Sequence, residues 1–262
     1  GIRHFCGTSP NSAVSRRDSS MKSAAPTRIA ARRTIGLYSA RSEPLSSLLS
    51  MPQIPPLRPE HLHRLDEGED ELFYEMPRQV AHIDDNAQAA LAQFFRQALP
   101  AGGEVLDLMS SRFSHLPPDL SLASVVGLGL NDKELIANEQ LSRHVLHNLN
   151  RTPRMPFVDG RFDACLLTVS VQYLIRPVEV FHDVARVLRP GAPFLISYSN
   201  RMFPTKAVRI WQALGETERA RLVAFYLEEA GEFEQSAMET LVGGELGVVD
   251  PVIMVHTRRT AG

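Results

Sequence analysis

Apolar residues follow two rhythms along this chain. Unbroken apolar runs at 104–109, 123–129, 164–169 and 193–198 lack the alternation of a half-exposed strand, which predicts strands buried on both faces. Helical spacing takes over elsewhere. Ala87, Leu91, Phe94, Phe95 and Leu99 mark a helix over 82–98. Val178, Phe181, Ala185 and Leu188 mark another, opened by Pro177, whose missing N–H costs nothing in a first turn. Asn131 is expected to cap a helix over 132–139, with Glu134 completing a capping box. A short strand is expected at 143–148. Helices are expected at 204–214 and 217–230, the second stopped by Gly231, and two antiparallel strands at 238–241 and 251–257.

Strands alternating with helices at this pitch predict an α/β fold with a parallel sheet covered on both faces. Ligands of such sheets sit beyond the carboxyl ends of the strands. Asp107, Ser110, Ser111, Gly127 and Gly129 lie at or near those ends. Pro52, Pro55, Pro56 and Pro59 make 51–68 an extended connection, and Leu99–Gly103 and Leu116–Asp119 read as breaks.

The order of motifs narrows the class. Glu104-Val-Leu-Asp-Leu-Met-Ser-Ser111 is a strand ending in an acidic residue and a small-residue turn. Met155-Pro-Phe-Val-Asp-Gly-Arg-Phe-Asp163, an apolar strand, a helix and Leu188-Arg-Pro-Gly191 come after it at family spacing. Over residues 70–200 the chain resembles the class I S-adenosylmethionine-dependent methyltransferases, in particular the small-molecule branch often labelled type 11. The resemblance implies a Rossmann-like, seven-stranded, mostly parallel sheet with helices on both faces and a helical N-terminal lid. The domains expected are a lid at 51–102, a cofactor-binding core at 103–199, and C-terminal helices and strands at 200–262.

It also implies a cofactor, S-adenosyl-L-methionine, and a small-molecule acceptor. Asp107, Ser110, Ser111, Gly127, Gly129, Asn131 and Asn150, with Tyr74 from the lid, are the cofactor-binding candidates. Asp107 either organises its turn and ligand or merely caps the next helix. Gly129 stands where the resemblance expects a carboxylate for the ribose hydroxyls, and Asn131 or Asp132 is the available substitute. Asn150 either meets the adenine edge or serves a turn. Gln172, Tyr173 and Arg201, just past the fourth and fifth core strands, are the acceptor-binding candidates, together with Arg78 and His82 upstream; Tyr173 either orients the acceptor or packs half-buried, and His82 either serves the site or is a structural helix residue. Arg201 suits an anionic group, while Lys206 reads as a solvated loop cation. No catalytic base is assigned. The competing readings are a catalytically inactive binding or scaffold protein of the same fold, and a nicotinamide oxidoreductase. The latter lacks both Gly-x-Gly-x-x-Gly after the first strand and a Tyr-x-x-x-Lys pair.

Composition adds one contrast. The 262 residues are 44% hydrophobic and 22% charged with a net charge of −2, which gives no global case for nucleic acid or an anionic surface. Residues 1–50, however, carry Arg3, Arg16, Arg17, Lys22, Arg28, Arg32, Arg33 and Arg41 against only Asp18 and Glu43, in a Ser- and Ala-rich background. Such a segment ahead of an acidic body reads as a disordered leader and an organellar transit peptide, mitochondrial or plastid. The alternatives are a plain tail, or upstream sequence ahead of a start at Met21 or Met51 in a cytoplasmic protein. Two distant cysteines make a disulfide framework or zinc site unexpected. His144-x-x-His147 and His61-x-His63 lack the further ligands a metal needs, so none is assigned. No apolar run is long enough to span a membrane.

Overall fold

A computed structural model describes the backbone of 43–44 and residues 57–244 and 249–261. The leader expected at 1–50 lies outside these residues, apart from that two-residue pair. The strands are β1 (Glu43–Pro44), β2 (Glu104–Leu108), β3 (Ser124–Gly129), β4 (Arg143–Leu146), β5 (Ala164–Thr168), β6 (Pro193–Tyr198), β7 (Ala237–Val242) and β8 (Val252–Arg258). Their spatial order is β1-β7-β8-β6-β5-β2-β3-β4. Strands β4, β3, β2, β5 and β6 run parallel, while β8, β7 and β1 add antiparallel pairs. The seven strands beyond β1 form the expected sheet. Glu43 and Pro44, within the stretch expected to be a leader, pair with Met238 and Ala237.

Each strand sorts its side chains by parity. Leu106, Leu108, Cys165, Leu167, Phe194 and Ile196 pack toward α4 (Pro177–Val187) and α6 (Glu216–Ala230). Val105, Ala164, Leu166 and Leu195 pack toward α2 (Asp85–Ala98), whose Ala87, Leu91 and Phe95 are buried. Both faces are therefore apolar, as the unbroken runs require.

The helices start and stop on local chemistry. Asp84, not His82, caps α2 by accepting from the Ala87 amide. Pro177 opens α4, and Gly231, at φ 76°, ends α6 in the left-handed region. The helix expected over 204–214 shrinks to α5 (Arg209–Ala213). The preceding residues form a turn, with Lys206 N and Ala207 N donating to Phe203 O, and meet distant backbone, with Thr205 O accepting from Asp66 N and Val208 N donating to Gln172 O. The connection from β2 to β3 holds no helix, unlike a regular alternation, and Pro117 and Pro118 sit in its middle. Side chains replace the missing helical bonds. Asn138, just past α3 (Asp132–Ala137), donates to Ser111 O at 2.9 Å, and Gln140 to Leu116 O at 2.6 Å. The segment ahead of α2 holds a 3-10 turn at Pro59–Leu62 and the single turn α1 (Asp70–Phe73).

Candidate active site

The strand order reverses beside β2, whose chain neighbour β3 lies on one side and β5 on the other. Open α/β sheets bind ligands at that point, beyond the carboxyl ends. A cavity of about 300 Å³ opens there, lined from β2, β3, β5, the N-terminal segment and the loop after β6. The volume is in the range of a small-molecule site.

Its rim is strained. Four described residues other than glycine have positive φ: His82 at 64°, Met109 at 53°, His115 at 55° and Val169 at 52°. All four line this cavity. Met109 and Val169 are equivalent, each the first residue after neighbouring parallel strands β2 and β5. A β-branched residue in the left-handed region is a genuine outlier, and such strain gathers at functional sites. Met109, which the glycine-turn resemblance does not explain, thus adopts the conformation a glycine would take.

The β2 turn is built around Asp107. This carboxylate is buried and accepts from Ser110 Oγ at 2.5 Å and Ser114 Oγ at 2.6 Å, both on Oδ2. Burial pushes its pKa up to about 6, against the pull of the two hydroxyls. Asp107 lines the cavity, but its visible work is to hold the turn. Ser110 N donates to Leu128 O at 2.8 Å, which brings the Ser110 carbonyl over the end of β3. A Cβ on Gly129 would lie 2.3 Å from that carbonyl. Gly129 is therefore the residue that lets the turn close, not a vacant carboxylate position.

A carboxylate reaches the cavity from α3 instead. Glu134 is buried, lines the cavity, and accepts from Ser111 Oγ and from the Arg78 amide. The capping box expected there is not formed. Asn131 does cap α3 through Glu134 N at 3.0 Å, but the Glu134 side chain turns into the site.

Several expected ligands are otherwise engaged. The Asn131 amide donates to Tyr74 O and Glu75 O, at 2.7 and 3.0 Å, so it fastens the N-terminal segment rather than standing in for a ribose ligand. Asn150 lines the cavity, with both Nδ2 hydrogens spent on Asp70 Oδ2 and Tyr173 O and its Oδ1 accepting from Ile175 N, so only a remaining lone pair of Oδ1 could meet a ligand. Gly127 faces Leu141, 2.5 Å from where its Cβ would sit, and is not on the cavity wall. Gln172 is buried and donates to Val169 O at 2.9 Å, also off the wall. Arg201 lines the mouth, with its Nε on Asp250 at 2.7 Å. Tyr74, Arg78, His82, Asp107, Ser110, Ser111, Gly129 and Tyr173 do come together around the cavity.

The segment above the cavity is latched by buried charge. Lys206 is fully buried, against the expectation of a solvated cation. Its Nζ donates to Gly68 O at 2.7 Å and lies 3.2 Å from Asp66 and 3.5 Å from Asp70. Arg64 meets Asp70 at 2.6 Å. Phe203, three residues before Lys206, stacks on Tyr173 at 5.9 Å, and its amide donates to the Tyr173 hydroxyl at 2.9 Å.

Sequence reasoning missed Glu134, His115 and Phe203 as wall residues. Burial holds His115 neutral, with its pKa lowered to about 4. The available signal was the polar stretch 110–115 after a core strand with no helical period behind it.

Residues 102–196 match a family model described as a methyltransferase domain. A curated relative, the biotin biosynthesis bifunctional protein BioHC of Teredinibacter turnerae, is 36% identical over 64 residues, which are 24% of this chain and 10% of that protein. The alignment thus spans about a tenth of the relative's length. One solved structure with this fold comes from the Haloferax volcanii complex between the Trm112 methyltransferase activator and a methyltransferase. It has 12% identity, coverage of 66% of this chain and 90% of that one, and a TM-score of 0.50. A Thermotoga maritima S-adenosylmethionine-dependent methyltransferase gives 15%, 66%, 90% and 0.49. The resemblance to class I S-adenosylmethionine-dependent methyltransferases read from the sequence is borne out over residues 102–196.

Proposed function

We propose that this chain is an S-adenosylmethionine-dependent methyltransferase acting on a small molecule. One observation carries the reading beyond the fold. The two strand ends that flank the topological switch both break through left-handed residues, Met109 and Val169, over one cavity that a buried carboxylate enters. A chain that kept only the fold would have no use for that strain.

The residues fit the cofactor. The closed Ser110–Gly129 approach makes a tight floor, and Glu134 offers carboxylate oxygens to ribose hydroxyls from α3. On this reading Glu134 takes the part of the carboxylate that the end of β3 lacks. The cofactor supplies an activated methyl group on a sulfonium. The protein's task is to orient the acceptor and exclude water, and orientation alone is worth ~7–11 kcal/mol. Tyr74, Arg78 and His82 cover the cavity, and Tyr173 and Phe203 form an aromatic wall. No helix among the described residues is long and apolar enough to cross a membrane. We extend the proposal to targeting, with residues 1–50 as an organellar leader on the strength of their composition.

Thermal melting with S-adenosylhomocysteine tests the reading. At a hundredfold excess over Kd, mass action adds about 2.7 kcal/mol, a rise of several degrees. Glu134→Gln should weaken that ligand ten- to a hundredfold, the worth of a charged hydrogen bond at about 1.5–3 kcal/mol. An unchanged melting temperature at saturating cofactor and product sinks the proposal.

A further inference from the structure

The cations at the cavity are not equal. Arg201 is held by Asp250, and Lys206 is buried in the latch. Arg78 is different. Its guanidinium carbon lies 4.6 Å from the Phe73 ring centroid, 4.8 Å from Phe203 and 5.3 Å from Tyr74. Nη2 donates to Phe73 O at 3.0 Å. Nη1 is buried and finds no hydrogen-bond partner among the described residues. No carboxylate pairs with this side chain among them either, since Glu134 takes the Arg78 backbone amide and not the guanidinium.

A buried guanidinium N–H with no acceptor is costly, and rings alone offset only part of that cost. His115 repeats the pattern on the same cavity, with Nδ1 buried and unpartnered among the described residues. Tyr173 spends its hydroxyl oxygen on the Phe203 amide, which leaves its proton free to donate. Arg78, His115 and Tyr173 thus bring uncommitted polar groups to the wall of one cavity, beside the stacked rings of Tyr173 and Phe203.

We infer that the methyl acceptor carries a carboxylate, and that Arg78 Nη1 is the donor that receives it. This rests on the proposed function and names the substrate class of that site. A guanidinium edge gives a carboxylate short, directional, charge-assisted bonds, which an amide of the same shape cannot match. A neutral isostere would leave the cation as unpaired as before.

Benzoate and benzamide are the probes, titrated into the full chain at constant ionic strength, with and without saturating S-adenosylhomocysteine. Benzoate should raise the melting temperature, and benzamide should not. Arg78→Met keeps the apolar stem and should weaken benzoate at least tenfold, and Arg78→Lys should restore only part. If Arg78→Met is too unstable to titrate, Arg78→Lys carries the same comparison. The inference is overturned if benzamide matches benzoate, if neither binds, or if Arg78→Met binds benzoate as the wild type does. It is also overturned if Arg78→Met loses S-adenosylhomocysteine instead, because Arg78 would then serve the cofactor's own carboxylate. Absence of any S-adenosylhomocysteine shift in the wild type would count against the methyltransferase reading, while benzoate binding through Arg78 would still be read separately.

Discussion

Asp107 concentrates the site's physics in one side chain. Burial raises its pKa from 3.8 to about 6, so the folded chain binds that proton more tightly than the unfolded chain does. The stability it contributes is complete below about pH 4 and is lost as pH rises through 6. A rise of that size corresponds to ~3 kcal/mol. Asp107→Asn keeps an oxygen for Ser110 and Ser114 and cannot titrate. Relative to Asp107→Asn, the wild type should therefore lose ~3 kcal/mol of unfolding free energy between pH 4 and pH 8, as read by urea titration without cofactor. Parallel curves would mean that Asp107 is ionised throughout. Gly129 gives a second test at the same scale. A methyl group there would meet the Ser110 carbonyl at 2.3 Å, and backbone cannot step aside as a flexible side chain does. Gly129→Ala should cost ~1–3 kcal/mol or more and weaken S-adenosylhomocysteine. Gly129→Asp should do the same rather than improve the ribose site. An unaltered melting temperature would show that the Ser110 turn yields freely.

At the scale of elements, the latch between α1, its flanking residues and the loop after β6 decides whether the cavity is covered. Lys206→Met leaves Asp70 with Arg64 and Asn150 but removes the cation that ties Gly68, Asp66 and Asp70 to that loop. Losing one partner of a buried pair costs ~3–5 kcal/mol, and here the cost falls on a short segment. Residues 66–78 should therefore exchange amide hydrogens faster by orders of magnitude, while β2, β5 and β6 keep their protection. Uniform loss of protection would make Lys206 a core residue rather than a latch. This latch also marks how far the sequence could be read. The core strands, α2, α4 and α6 announce themselves because each is written in a local period, a proline or a glycine. Lys206 looked solvated and 204–208 looked helical because their partners, Gly68 for Lys206, Asp66 for Thr205 and Gln172 for Val208, are distant in the sequence. Glu134 fitted a capping box on spacing alone, and only the path of 74–78 over α3 shows what else its carboxylate meets. Gly129 looked like a lost ligand because a close backbone approach leaves no mark in one sequence.

At the scale of the whole molecule, the charge is divided unevenly. The acid-poor first fifty residues precede a net acidic remainder, and the described sheet takes only Glu43 and Pro44 from them, at its outer edge beside β7. Two residues on an edge strand close few hydrogen bonds, and nothing in the central sheet depends on them. A chain beginning at Met51 should therefore unfold with the same cooperativity as the full chain and bind S-adenosylhomocysteine equally well. Its melting temperature should fall by no more than a degree or two, the worth of a few tenths of a kcal/mol. A larger fall would assign the edge pair a structural role and move the domain boundary to the far side of residue 43. The same division sets the targeting test. Arg-rich, acid-poor composition is what organellar import reads, and an acidic body lacks it. Residues 1–50 fused to a fluorescent protein should leave the cytosol for an organelle, and replacing Arg16, Arg17, Arg32 and Arg33 by Gln should return the signal there. A diffuse signal from the unaltered fusion would overturn the targeting proposal and leave the binding site untouched, because the described residues of the cavity wall all lie beyond that segment.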